Sequence, residues 1–317
     1  FTNNMPAAAV HFIDLHKRTN DLVIGTHGRG IFIIDDISPL RELTPEVMDK
    51  EVHFFDNNPV KMTDQSGFSS GFGNETQFVG ANPSEALKLK YYLKKRHTFG
   101  KMSLEIQDMN GKVLADLGPG KSKGINIVDW SYTIRQPKVA KGKTFSFGGF
   151  TAPRVAAGTY KAVLTKGKDV YEHEFELIYD SKSNLSLKDR ALKQATTMKM
   201  YQMSEELAYM VYELDAMIEA NKDSKKQLES LNKLKETLVV TTGDNYVSAG
   251  EPQLREKIAD LFSKIASSYD KPSNAELENL KVIEDRFQTA KKDFEKLKSK
   301  VDTTSLNLKS YDEFINE

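Results

Sequence analysis

Apolar positions in the first part of the chain come in short β-branched runs. Val10 to Leu15, Asp21 to Thr26 and Gly30 to Asp35 are parted by Lys17-Arg18-Thr19-Asn20 and His27-Gly28-Arg29, a spacing that predicts three strands in a meander. Three strands cannot bury enough surface to fold alone. From Val52 onward strand spacing resumes, near Leu87 to Leu93, Met102 to Asp108, Lys112 to Asp116, Ile125 to Ile134, Gly158 to Thr165 and Val170 to Tyr179. Asn110-Gly111 and Lys166-Gly167-Lys168 mark two hairpins, since their turn positions accept positive φ. Tyr160, Val163 with a slip in phase, Tyr171, Phe175 and Leu177 then face a core shared with Trp130, a pattern that fits an immunoglobulin-like sandwich.

Beyond Asn184 the period becomes helical. Met203, Leu207, Met210, Val211, Leu214, Met217 and Ile218 form one stripe, behind a cap at Ser186 with Asp189 three residues on. Leu228, Leu231, Leu234 and Leu238 form a second stripe; Leu254, Ile258, Leu261 and Ile265 form a third, opened by Pro252. Ser273 with Glu276 is a capping box for a fourth, carrying Leu277, Leu280, Ile283, Phe287, Phe294 and Leu297. Four such helices can bury their stripes against one another.

Composition sharpens the division. Of 19 glycines, seventeen lie at or before Gly167, as do eight of ten prolines, so the class changes near Asp180, with Ser181-Lys182-Ser183-Asn184 as linker. The expected class is multidomain β plus α: 1–45 as the three-strand meander, which the resemblance given below makes the last strands of a β-propeller, 46–180 as the sandwich, 185–317 as an antiparallel helical bundle. Lys plus Arg is 45 and Asp plus Glu is 45, and a net charge of +0 gives no field to draw in nucleic acid. No stretch approaches the roughly 20 apolar residues of a spanning helix. Without cysteine there are no disulfides, thiolate metal sites or cysteine nucleophiles.

Motifs with possible chemistry are few. Gly25-Thr26-His27-Gly28-Arg29-Gly30 has the glycines of a phosphate cradle, but Ile31 to Ile34 is strand-like where a helix N-terminus is needed. Gly120-Lys121-Ser122 and Gly142-Lys143-Thr144 lack the first glycine of a P-loop, which falls on Ala115 and Pro137. His173-Glu174 has Leu177 where a zinc site needs its second histidine. Asp35-Asp36 would point to opposite faces of a strand, whereas a glycosidase pair shares one cleft. No Gly-x-Ser-x-Gly elbow occurs. No catalytic residue, metal or cofactor is therefore assigned. Two loops combine aromatics with glycine: Gly67 to Asn74, with Phe68 and Phe72, and Phe145 to Phe150, with Phe145 and Phe147. They read either as platforms for a sugar ring or aromatic peptide side chain, or as caps on the sandwich ends.

The segment Asn20 to Leu40, with Thr26-His27-Gly28-Arg29-Gly30 at its turn, resembles the end of the β-propeller in large bacterial BNR-type, sortilin-like proteins labelled glycosyl hydrolase-like. Gly80-Ala81-Asn82-Pro83, Asn126 to Trp130 and Ala157-Gly158-Thr159-Tyr160 resemble that family's accessory sandwich; Pro252 to Leu261 and Asp270-Lys271-Pro272-Ser273 resemble its helical tail. The Asp-box repeats of the propeller do not occur, as expected if the blades lie upstream of Phe1. The resemblance implies an extracytoplasmic, non-catalytic scaffold or docking portion. Val23, His27, Arg29, Ile31 and Ile33 are its expected propeller contacts, and its partner an upstream propeller of the same precursor or another envelope protein. The rivals are an accessory region of a propeller glycosidase acting on polysaccharide and part of a sortilin-like peptide receptor. Asp302-Thr303-Thr304 resembles an O-glycosylation site of Bacteroidota envelope proteins.

Overall fold

A computed structural model describes residue 5 and residues 7–62, 86–243, 250–301 and 306–316 of the protein. It mixes β-sheets with seven α-helices among the described residues, and none of the sheets closes into a barrel. The chain divides into two compact units, the first built from Phe1–Val60, Ala86–Ser131 and Gly158–Ile178, the second from Lys61–Glu85, Tyr132–Ala157 and Tyr179–Glu317.

In the first unit, β1 (Val10–His16), β2 (Asp21–Thr26) and β3 (Ile31–Ile34) form an antiparallel sheet in chain order. Two short helices follow, α1 (Ser38–Glu42) and α2 (Pro45–Asp49), both with proline in their first turn, where its missing N–H costs nothing. Neither helix is among the elements expected from the sequence; Thr44, whose side chain caps α2, is the local signal for the second.

The remaining strands form two facing sheets. One runs β4 (Val52–Phe54), β6 (Leu87–Leu93), β9 (Gly124–Trp130). The other comprises β5 (Val60–Met62), β11 (Asp169–Tyr179), β10 (Gly158–Lys166), β7 (Met102–Gln107) and β8 (Val113–Leu117), in that spatial order. Their inner faces meet where Trp130 stands edge-on to Tyr160 and Phe175, with ring centroids 6.1 and 5.9 Å away. Strand β9 stops at Trp130, short of the expected Ile134, because Tyr132 takes φ 58, outside the extended region.

β6 is buried on both faces. Leu87, Leu89, Tyr91 and Leu93 alternate toward one side; Lys90, only 8% exposed, points to the other and pairs with Asp36 just after β3. The Asp36 backbone N–H donates to Asp21 Oδ1 at 2.9 Å, so one short segment ties the three-stranded sheet to the sandwich. Burial alone would raise the Asp36 carboxyl; the Lys90 ammonium and the Ser38 donors outweigh it and hold the group below its ordinary range.

The second unit is built around α3 (Leu187–Ala220), with α4 (Lys225–Leu238), α5 (Leu254–Ser267), α6 (Asn274–Lys298) and the short α7 (Tyr311–Ile315). The core gathers Met200, Leu207, Met210, Val211, Leu214 and Met217 of α3 with Leu231, Ile258, Phe262, Ile283 and Phe287. Buried hydroxyls on α3 are satisfied locally: Thr196, Thr197 and Ser204 donate to carbonyls four residues back. Ser186 caps α3 and Ser273 with Glu276 forms the expected capping box on α6. The start of α5 differs from the expectation: Gln253 is its N-cap, in a capping box with Glu256, and Pro252 precedes the cap. Ala140, from the stretch 132–157, belongs to this helical core. Among the described residues no helix is long and apolar enough to cross a membrane.

Candidate interaction surface

Register decides which side chains of the three-stranded sheet share a face. Phe12 pairs with Gly25 and Gly25 with Ile31; Asp14 pairs with Val23 and Val23 with Ile33. Cross-strand partners project together, so Phe12, Val23, Ile31 and Ile33 stand on one face around the bare Gly25. The next rows, Ile13-Ile24-Phe32 and Leu15-Leu22-Ile34, project oppositely; Ile24 on the central strand is buried at 3% exposure, so this side is packed there, while Ile13 at the β1 edge is 59% exposed. On the other face Phe12 is 65% exposed, Ile31 73% and Ile33 60%. Large apolar groups gathered this way form an exposed apolar patch.

The turn between β2 and β3 is fixed by backbone geometry. Gly28 (φ 71) and Gly30 (φ 87) adopt left-handed conformations, and Thr26 donates to the Gly30 carbonyl through both its N–H and its hydroxyl. His27 and Arg29 are exposed on this turn, and the His27 ring lies 4.9 Å from His11. Thus Val23, Ile31 and Ile33 come together on a face, while His27 and Arg29 sit at its end. Phe12, missed by sequence reading, completes the face; its register with Gly25 was the signal, hidden by a β-bulge between Val10 and Phe12.

Of the aromatic loop residues, Phe68 and Phe72 lie outside the described residues. Phe145 and Phe150 are exposed and stacked, centroids 5.2 Å apart and planes 17° from parallel. Phe147 opens the 3-10 turn Phe147–Phe150, and its side chain lies outside the described part of the chain. This turn packs on α5 so closely that a Cβ on Gly148 would stand 2.9 Å from the Ala259 Cβ. The Phe pair forms an exposed plate beside this turn.

The rejected motifs have structural roles. Gly142-Lys143-Thr144 is pinned to α5: Thr144 donates to Glu256 at 2.8 Å, and the Arg255 guanidinium donates to Thr144 and Glu256. Asp36 Oδ1 accepts from the Ser38 N–H at 3.1 Å, and Asp35 faces Lys88 at 3.7 Å. His173 lies on the row of Ala162 and Ile106, both fully buried, and stacks on Phe54 at 5.3 Å. Among the described residues no three histidine, aspartate or glutamate side chains gather to hold a metal ion.

No protein family and no curated protein matches the chain. A solved structure of PorZ, described as an essential bacterial surface component of the type-IX secretion system of Porphyromonas gingivalis, is similar at 18% identity. The match covers 54% of this chain but 23% of that one, with a TM-score of 0.18. At so low a superposition the likeness carries no argument about fold or partner, and the chain's own residues must supply one.

Proposed function

We propose that this chain is a non-catalytic docking portion of a larger extracytoplasmic protein, and that β1 to β3 form an incomplete propeller blade. The observation that carries this is the face on which Phe12, Ile31 and Ile33 are exposed around the half-buried Val23, on a sheet in which no further strand pairs with β1 or β3 among the described residues. A propeller blade packs face to face with its neighbour and usually has four strands; among the described residues this sheet has no fourth strand, and no sheet covers its exposed face. The partner is an upstream propeller of the same precursor, or another envelope protein in that place; the immunoglobulin-like sandwich and the helices serve as scaffold.

Hydrogen exchange tests this, and the register sharpens it. Val23 lies on the central strand, paired on both sides, so its amide reports little. Amides of β3 turned away from β2 are the informative ones: they should exchange fast in the isolated chain and slowly when the upstream propeller is present. Equal rates in both would overturn the proposal.

A second reading is favoured by one observation, the stacked Phe145 and Phe150 plate, which suits the face of a sugar ring or an aromatic side chain. Phe145→Ala with Phe150→Ala should abolish polysaccharide retardation in affinity electrophoresis while leaving the melting midpoint unchanged. Loss of stability without any change in retardation would make the pair a structural cap.

A further inference from the structure

The helical unit contains a cavity of about 430 Å³. Its floor is Ala140, Ala208 and Val211, all buried, and one wall is the stacked pair Tyr212 and Phe314, centroids 4.8 Å apart. The small side chains of Ala140, Ala208 and Ala216 leave the space open. Cavities that hold small molecules are usually of this kind, roughly 300 to 1,000 Å³, mainly apolar, with a few polar groups to orient the ligand.

The charged groups here are predominantly of one sign. Lys138 and Lys141 come from the loop before the Phe plate, and Lys309 from the segment before α7. The Lys138 ammonium lies 4.4 Å from the Phe314 ring centroid and donates to the Phe314 carbonyl, so no carboxylate neutralises it in these contacts. Lys141 is exposed and has no ion pair among the described residues. Asp215, the one carboxylate of the lining, is already bound by Lys235 at 2.6 Å. The cavity thus offers an apolar floor beneath a positive rim.

We infer that this cavity binds an amphiphile with a carboxylate head and an unbranched apolar tail, a free fatty acid of medium chain length. The tail occupies the floor between Val211 and Phe314, and the head meets the exposed Lys141 and the half-buried Lys138, whose partial burial strengthens the attraction.

Titration calorimetry of the whole chain with decanoate tests it, with decanol and butyrate as probes of head and tail. Decanoate should bind saturably, and both controls more weakly. Lys141→Glu, on an exposed side chain, should weaken decanoate by roughly two- to fivefold, the scale of one exposed ion pair. Ala216→Leu keeps a strong helix former on a half-exposed position of α3 and fills the cavity, so it should abolish binding. A circular dichroism melt of each variant, matching the parent, establishes that the fold is kept. Absence of saturable decanoate binding, or binding indifferent to Ala216→Leu, would overturn the site. Binding lost in Ala216→Leu but equal for decanol and unaffected by Lys141→Glu would overturn the anionic head.

Discussion

His173 illustrates how one register position fixes a residue's chemistry. Its place on the inner face of β11 sends the ring into the sandwich, where Nε2 is buried with no hydrogen-bond partner. Burial is the main force holding its pKa, and that of His53, below the usual histidine value; Asp56 works against it at both rings, with Glu174 at His173 and Glu42 at His53. The unfolded chain titrates near pH 6.5 and the folded rings lower, so the unfolded state binds more protons in the window just below 6.5. Stability is therefore full above about pH 6.5 and falls as the pH drops through that value toward the folded pKa values. Thermal melts at pH 7.5 and 5.0 should show this fall, and His173→Phe should shrink it. The same substitution removes a buried nitrogen that lacks a partner and should raise stability near neutral pH by on the order of 1 kcal/mol. An unchanged pH slope in His173→Phe would place the titration elsewhere. Tyr91 shows the opposite balance: burial pushes its phenol up to about 12, although its hydroxyl keeps a partner in the Gly120 carbonyl at 2.6 Å.

Elements legible in the sequence were those whose signal is local. Ser186, Ser273 and Glu276 announce α3 and α6, because a cap must sit next to the helix it closes. Removing the α6 cap with Ser273→Ala should cost about 1 kcal/mol, read as a lower urea midpoint at constant slope. α7 was not legible: five residues are too few to show a period, and its support comes from Tyr209 and Tyr212, more than a hundred residues before the Phe314 they pack on. The loop with the Phe plate was only half legible. Its aromatics and glycines were visible, but the pairing of Phe145 with Phe150 depends on a 3-10 turn seated on Ala259. Gly148→Ala tests that seating. The added methyl has backbone and Cβ atoms of Ala259 in its way, so the turn must lift, at a cost of about 1–3 kcal/mol. Denaturant melts should register the loss; an unchanged midpoint would mean the turn is only loosely held on α5.

At the scale of the whole molecule, the three-stranded sheet gathers exposed Phe12, Ile31 and Ile33 on one face, and nothing in the residue pattern distinguishes these apolar side chains from the covered ones. Strand alternation separates two faces but does not say which is packed; that depends on Asp21, Asp36 and Lys90 tethering one side to β6. The uncovered face has an open edge beside it. β1 is blunted by its bulge, whereas Ile31 to Ile34 of β3 carries no charge, proline or bulge that would deter another strand. Face and edge together predict that the chain, held apart from its partner, associates with itself. Sedimentation velocity over a range of protein concentrations should show a rising weight-average coefficient. Ile31→Lys with Ile33→Lys should suppress it, since each lysine places a charge among side chains that must desolvate for the contact to form. Both isoleucines are largely exposed, so the melting midpoint should barely move, within about 0.5 kcal/mol in stability. The same double variant should lose binding to the upstream propeller, because one face serves both contacts. If self-association disappears while propeller binding persists, the blade face is an adhesive surface and the docking surface lies elsewhere on the chain.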